Sequence, residues 1–142
     1  MNRTPLVLFL AGLTLIAAPA LAGDEPDAFV CSFKSGVSWS FDRGKYSEKP
    51  PAALTLEFDN IDLEQQRATL KAGANSQPGA VAIARAIGAN HFLEVATEGF
   101  WNITTIYEKD AAAGVYPAVH SRHLGLAGSP VFSQYAGTCT AK

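Results

Sequence analysis

The sequence predicts an all-β protein, a small antiparallel up-and-down β-barrel of about eight strands closed by one disulfide; a β-sandwich is the alternative. Short β-branched and aromatic segments alternate with turn residues roughly once every ten residues, which is typical of an antiparallel meander. The only cysteines, Cys31 and Cys139, lie near opposite ends of the sequence. The length of 142 residues suits a single domain.

The N-terminus has the pattern of a secretory signal peptide. Met1–Ala22 contains one charged residue, Arg3, then an apolar run from Leu6 to Ile16, and ends in the small-residue sequence Ala20-Leu21-Ala22. This pattern predicts cleavage after Ala22 and export to the periplasm or the medium. We therefore expect residues 23–142 to form a single β-barrel domain with no membrane anchor after cleavage.

The charge balance excludes one class of partner. The formal net charge is −2, and charged residues make up 17% of the sequence. A nucleic-acid surface needs clustered lysine and arginine, so no nucleic acid is expected as a partner.

The two cysteines predict how the sheet closes. In an oxidising compartment an isolated pair without metal-ligand spacing is expected to form a disulfide. A bond between Cys31 and Cys139 requires Cα atoms within roughly 7 Å of each other. The first and last strands must then be neighbours, which in a sheet protein closes a barrel.

The first half of the chain divides into four predicted strands. Ser35-Gly36 separates the first two, and two polar stretches, Asp42–Pro51 and Gly73–Gly79, are predicted surface loops. The third strand alternates clearly, with leucine and phenylalanine on one face and polar residues on the other. The predicted strands are Ala28–Lys34, Val37–Phe41, Ala53–Phe58 and Arg67–Lys71.

The second half contains five more predicted strands. Val81–Ile87 places Val81, Ile83, Arg85 and Ile87 opposite four alanines. Helix propensity alone would also suit this alanine-rich segment, but the period of two favours a strand. The remaining predicted strands are His91–Thr97, Phe100–Lys109, Val115–Leu124 and Pro130–Thr140.

Alternation along Phe100–Lys109 separates two faces. Trp101, Ile103, Thr105 and Tyr107 share one face, which we interpret as core because of its aromatic rings. The opposite face carries Asn102, Thr104 and Glu108, and we expect it to face solvent.

Two histidines and an arginine are concentrated in Tyr116–His123. In an extended strand His120 and Arg122 share one face, whereas His123 lies on the other. The imidazoles would then point apart, so no metal site is predicted. A buried Arg122 would need a carboxylate, and Glu94 is the candidate partner.

No established catalytic motif occurs in the sequence, which favours a non-enzymatic exported binding protein. The expected ligand is a small apolar molecule or another protein, and no cofactor is predicted. In a hollow barrel the ligand would contact Trp39, Phe92 and Trp101, with His120 or Arg122 fixing a polar head group. In a packed barrel the two surface loops would be the contact surface.

Three alternatives remain open at this point. The protein could inhibit a hydrolase such as lysozyme, because a mildly acidic surface attracts a basic enzyme. It could be an enzyme in which His120, Arg122 and His123 act as acid, base and oxyanion-binding groups. The same residues could instead form a polar cluster that only specifies the fold.

The C-terminal third also carries a resemblance. Tyr116–His123 (YPAVHSRH) and Ser133–Cys139 (SQYAGTC), together with Phe58–Asp62 (FDNID), resemble a group of small exported bacterial proteins. The likeness runs from about Cys31 to Cys139. Gly36-Val37-Ser38-Trp39 is similar to the short signature of calycin-type barrels, the lipocalin class. The resemblance implies a calycin-like barrel and supplies no catalytic residues.

Overall fold

A computed structural model describes residues 25–97, 100–124 and 129–142. The predicted signal peptide, Met1–Ala22, lies outside these residues. All regular secondary structure in the described ranges is β-strand. The strands are β1 Phe29–Asp42, β2 Lys45–Lys49, β3 Leu54–Asp62, β4 Arg67–Ala72, β5 Gly79–Ala86, β6 Ala89–Thr97, β7 Phe100–Tyr107, β8 Tyr116–Leu124 and β9 Val131–Ala141.

The strands form one closed antiparallel barrel. From β3 onwards each strand pairs with the next in the sequence, and β1 pairs with both β3 and β9. The closed ring has eight strands, and β2 is an extra strand along the second half of β1. The barrel prediction is confirmed, and the sandwich alternative does not apply because the first and last strands are hydrogen-bonded neighbours.

The first strand departs from the sequence prediction. Instead of two strands split at Ser35-Gly36, β1 runs on through a β-bulge between Phe33 and Ser35. The extra residue reverses which side chains face inward, so that Ser38 is buried after the bulge, as Phe33 is before it.

The predicted loop Asp42–Pro51 is wrong in part, because it contains β2. The turn between β1 and β2 is formed by Arg43 and Gly44, whose φ angles are 46° and 80°. Positive φ at both central residues matches the twist of a two-residue hairpin. A polar, charged segment can pair in this way because its side chains stay in solvent and only its backbone joins the sheet.

The predicted disulfide is confirmed. Cys31 and Cys139 are direct partners in the β1–β9 ladder, with Cα atoms 3.9 Å apart and both residues fully buried. The bond therefore joins the first and last strands of the ring and closes it covalently.

Aromatic rings fill the middle of the barrel. Phe33, Phe58 and Phe92 are buried, and the rings of Phe58 and Phe92 lie 4.5 Å apart between centroids. Tyr135 packs edge-on against Phe33, with centroids 6.4 Å apart. The central section is thus packed with side chains, and any space for a ligand must lie towards the ends.

Gly137 on β9 gives the first prediction. A Cβ atom there would clash with the Ser32 carbonyl oxygen and lie 2.7 Å from the Phe33 ring. We expect Gly137→Ala to lower the free energy of unfolding by about 2 kcal/mol, because β1 would have to move away from β9. Gly79→Ala, where a Cβ atom meets nothing within 4 Å, is the matched control. Urea denaturation of both variants measures the difference, and equal stabilities would contradict the prediction.

Candidate functional site

One end of the barrel contains a cavity of about 240 Å³. This end, the cavity end, carries the β5–β6 turn at Ile87-Gly88, the segment 108–115 between β7 and β8, and the chain before β1. A wider and more open groove beside the β3–β4 turn shares Glu25, Pro26, Ile61 and Leu63 with the cavity wall. The cavity is therefore formed where these connecting segments meet the ends of the strands.

The floor of the cavity is apolar. Phe29, Phe92, Ile106 and Tyr116 line it, and the rings of Phe29 and Tyr116 pack edge to face with centroids 4.9 Å apart. Beneath Phe92 lies the ring of Phe58, so the aromatic core limits the depth of the cavity. A ligand would therefore rest against three aromatic rings and the Ile106 side chain, with Ile61 and Leu63 in the wall beside it.

The rim of the cavity is polar and charged. Arg85 and Asn90 are direct partners in the β5–β6 ladder, and both line the cavity. The Lys109 ammonium lies 6.0 Å from the centroid of the Tyr116 ring. Glu25 and Glu108 also line the rim. The cavity thus combines an apolar floor with a charged entrance.

Local backbone geometry fixes this rim. Gly88 has a φ of 74°, a conformation that favours glycine and allows the tight β5–β6 turn. The backbone N–H of Glu108 donates to the Gly88 carbonyl at 3.0 Å, joining the turn to the end of β7. Asp110 shapes the next segment, since its carboxylate accepts hydrogen bonds from the backbone N–H groups of Ala112 and Ala113. Hydrogen bonds therefore hold in place the segments that form the entrance of the cavity.

The five predicted ligand-binding residues are not brought together. Only Phe92 lines the cavity. Trp39 lies beyond the β1 bulge and stacks on Phe132, with ring centroids 4.9 Å apart. Trp101 is 44% exposed, and its ring centroid lies 5.5 Å from that of His123. A shared interior position for the two tryptophans is therefore wrong.

These side chains form an aromatic row on the outer surface. Trp39, Phe132, His123 and Trp101 are successive cross-strand partners on β1, β9, β8 and β7. Cross-strand aromatic contacts of this kind stabilise sheets by a few tenths of a kcal/mol to about 1 kcal/mol each. The contacts within the row are sufficient to explain these residues as part of the barrel wall.

Most side chains of β7 lie opposite to the prediction. Asn102 and Thr104 are buried, whereas Trp101 and Tyr107 are both 44% exposed. Thr105, which bonds His91 on the neighbouring strand, is buried and Glu108 is exposed, as predicted. The polar residues can lie inside because they have polar partners there: Asn102 donates to Glu94 at 2.7 Å, and Thr104 bonds His120 at 2.8 Å. Hydropathy alone favoured the opposite orientation.

His120 belongs to the core. It is 2% exposed, its Nδ1 lies 2.8 Å from the Thr104 hydroxyl oxygen, and its ring lies 5.7 Å from those of Phe33 and Tyr135. Burial, and secondarily the nearby Arg122 charge, lowers the pKa of His120 to about 4. At neutral pH the ring is therefore uncharged.

Arg122 faces inward towards the end opposite the cavity. It lies in a polar row of cross-strand partners that also contains Glu94, Asn102, Ser133 and Ser38. The predicted Glu94–Arg122 ion pair is wrong. Asn102 lies on the strand between them, and its side-chain N–H group donates a hydrogen bond to the Glu94 carboxylate. Ser133 donates to Ser38 at 2.8 Å in the same row, and the Asn102 side-chain oxygen is buried without a partner.

The proposed acid–base pair has no geometric basis. His120 is buried inside the barrel, whereas His123 is exposed on its outer face, so their imidazoles cannot reach one substrate. Within 25–97, 100–124 and 129–142, no three His, Cys, Asp or Glu side chains are grouped to hold a metal ion. The same residues contain no helix long and apolar enough to cross a membrane.

Comparisons with known proteins give no relative. No family model, no curated protein and no solved structure matches the chain. The candidate site therefore rests on its own geometry.

Sequence reasoning missed most of the cavity wall. Phe29 and Tyr116 lie at the ends of strands, where alternation does not indicate that their rings meet. Arg85 did carry a usable pattern, because it continues the face of Val81 and Ile83, which are buried. A charged residue at the end of an inward-facing row indicates the mouth of a barrel.

Proposed function

We propose that the protein is a non-enzymatic exported β-barrel that binds a small molecule with an apolar body in the cavity. The observation that carries the proposal is the combination of an apolar floor and a polar rim in one concave site. Ligand pockets typically have this composition, with a few polar groups fixing orientation. The disulfide supports the exported location, since such bonds persist in oxidising compartments.

The volume limits the size of the ligand. Drug-sized ligands occupy pockets of roughly 300–1,000 Å³, so 240 Å³ suits something smaller. A single ring with short substituents belongs to this smaller size class.

A blocking variant tests the proposal with 4-methylbenzyl alcohol as the probe. Asn90 is half-buried in the cavity wall and shares the inward-facing side of β6 with Phe92, so Asn90→Trp places a large ring at the entrance. We expect this variant to weaken probe binding at least about tenfold, measured by NMR titration of the disulfide-bonded barrel. Ala84→Trp, on an exposed position of the same hairpin away from the cavity, should bind as the wild type does.

The pattern of amide shifts locates the site. Shifts at Phe29, Phe92 and Ile106 that saturate with the probe are the expected result. Absence of saturable shifts in the wild type would overturn the proposal. If both tryptophan variants bound the probe equally well, the cavity would not be the binding site.

A further inference from the structure

Resting on this proposed function, we propose that the ligand is a small organic acid whose carboxylate is held at the rim by Arg85, Asn90 and Lys109. Its apolar body would lie against Phe92 and the rest of the apolar floor. Three donor-bearing side chains stand beside an apolar floor, an arrangement that matches a carboxylate on an apolar body.

Arg85 is the main group in this inference. It lies on the inward-facing side of β5, following Val81 and Ile83, at the point where the interior widens into the cavity. Among the ion pairs formed within 25–97, 100–124 and 129–142, none involves Arg85. A guanidinium presents a fixed fork of N–H donors that matches a carboxylate, so its placement beside a cavity favours an anionic ligand.

Asn90 and Lys109 extend this donor set. Asn90 is the cross-strand partner of Arg85, so its amide stands on the neighbouring strand at the same level. Lys109 holds its ammonium above the Tyr116 ring, which is itself part of the floor. An acid with its ring on Phe92 and Tyr116 would have its charged group at the level of these donors.

Two carboxylates also line this rim, and their positions decide whether the rim favours an anion or a cation. The Glu108 side chain bends over the β5–β6 turn, where its Oε1 is 3.7 Å from the position that a Gly88 Cβ would take. Glu25 precedes β1 in the chain and also lines the cavity. Neither is on the strand pair that carries Arg85 and Asn90, so a cation has no inward-facing carboxylate on β5 or β6 at this level.

Three probes of one skeleton test the ligand class: 4-methylbenzoate, 4-methylbenzyl alcohol and 4-methylbenzylamine. At neutral pH they present a negative, a neutral and a positive group on the same ring. We expect the acid to bind about tenfold tighter than the alcohol, because charge-assisted hydrogen bonds are about twice as strong as neutral ones. The amine should bind no tighter than the alcohol.

Matched variants assign the recognition to residues. Arg85→Gln should lower the affinity for the acid about tenfold while leaving that for the alcohol within about twofold. Glu108→Gln should not weaken acid binding. Arg43→Gln, at the exposed β1–β2 turn, is the control for a general loss of positive charge and should change neither affinity.

The outcomes separate this inference from the proposed function. Equal binding of the acid and the alcohol, or tightest binding of the amine, would overturn the acid class while the cavity remained a binding site. An unchanged acid affinity in Arg85→Gln would overturn the role of that residue. Failure of all three probes to give saturable shifts would overturn the proposed function itself.

Discussion

Replacing Cys31 and Cys139 together by alanine should lower the free energy of unfolding by about 3–5 kcal/mol. The disulfide joins residues 108 positions apart, which is almost the whole described barrel. In the chain-entropy model a cross-link closing a loop of roughly 100 residues contributes about 4.7 kcal/mol, because the unfolded chain loses conformational freedom. Urea denaturation monitored by tryptophan fluorescence measures the change.

Reduction of the wild type separates the cross-link from the packing. Both cysteines are fully buried, so the double alanine variant also removes two sulfur atoms from the core. Wild-type protein refolded with dithiothreitol keeps those atoms and loses only the bond. We expect the free energy of unfolding of the reduced wild type to lie between those of the oxidised wild type and the double alanine variant. A reduced protein as stable as the oxidised one would contradict the prediction.

Closure of the barrel was predictable because it depends on features that a sequence shows directly. Turn residues recur between β-rich segments, and hairpins connect strands that are neighbours in the chain. The two cysteines then required the first and last strands to be adjacent. From β3 onwards, strand existence and neighbour order follow from these local patterns, and both are confirmed; β1 and β2 are the exceptions.

The orientation of side chains was less predictable, since it depends on contacts across the sheet. One bulged residue after Phe33 places Trp39 outside, and no hydropathy pattern indicates such an insertion. On β7, Thr104 is buried because His120 on the next strand bonds it. The sequence alone does not distinguish a polar residue that bonds a partner on another strand from one that faces solvent.

The candidate site was predicted only in part for the same reason. Phe92 was correctly placed at an interior position, but the cavity around it is made by strand ends and connecting segments. Arg85 and Tyr116 approach one opening from β5 and β8, three strands apart in the ring. Which ends surround a cavity follows from register and strand tilt, and these are properties of the closed barrel.

The packed middle divides the barrel into two chemically different ends. Phe33, Phe58 and Phe92 separate the cavity from the polar row around Asn102 and Arg122. A ligand entering the cavity therefore does not reach Arg122, and His120 lies within the division between the two ends. His120 therefore contributes to the stability of the fold, and its protonation in acid is expected to lower that stability.

Wild-type stability should fall as the pH drops from about 6.5 towards 4, and His120 should account for about 3 kcal/mol of that loss. In the unfolded chain the histidine pKa is near its ordinary value of 6.5, whereas burial and the neighbouring Arg122 lower the pKa of His120 to about 4 in the folded protein. Between these values the unfolded state binds more protons. The stabilisation is therefore fully present above pH 6.5 and is lost as the folded pKa is approached.

The contribution of His120 is isolated by comparing variants, because carboxylates titrate in the same range. His120→Asn retains a polar group near the Thr104 hydroxyl but has no charged form at acidic pH. Its free energy of unfolding should be lower than that of the wild type at pH 7, and the difference should shrink towards pH 4. His123→Asn, on the outer face, should keep the wild-type slope. If His123→Asn flattened the slope and His120→Asn did not, the buried ring would not be the group that loses stability in acid.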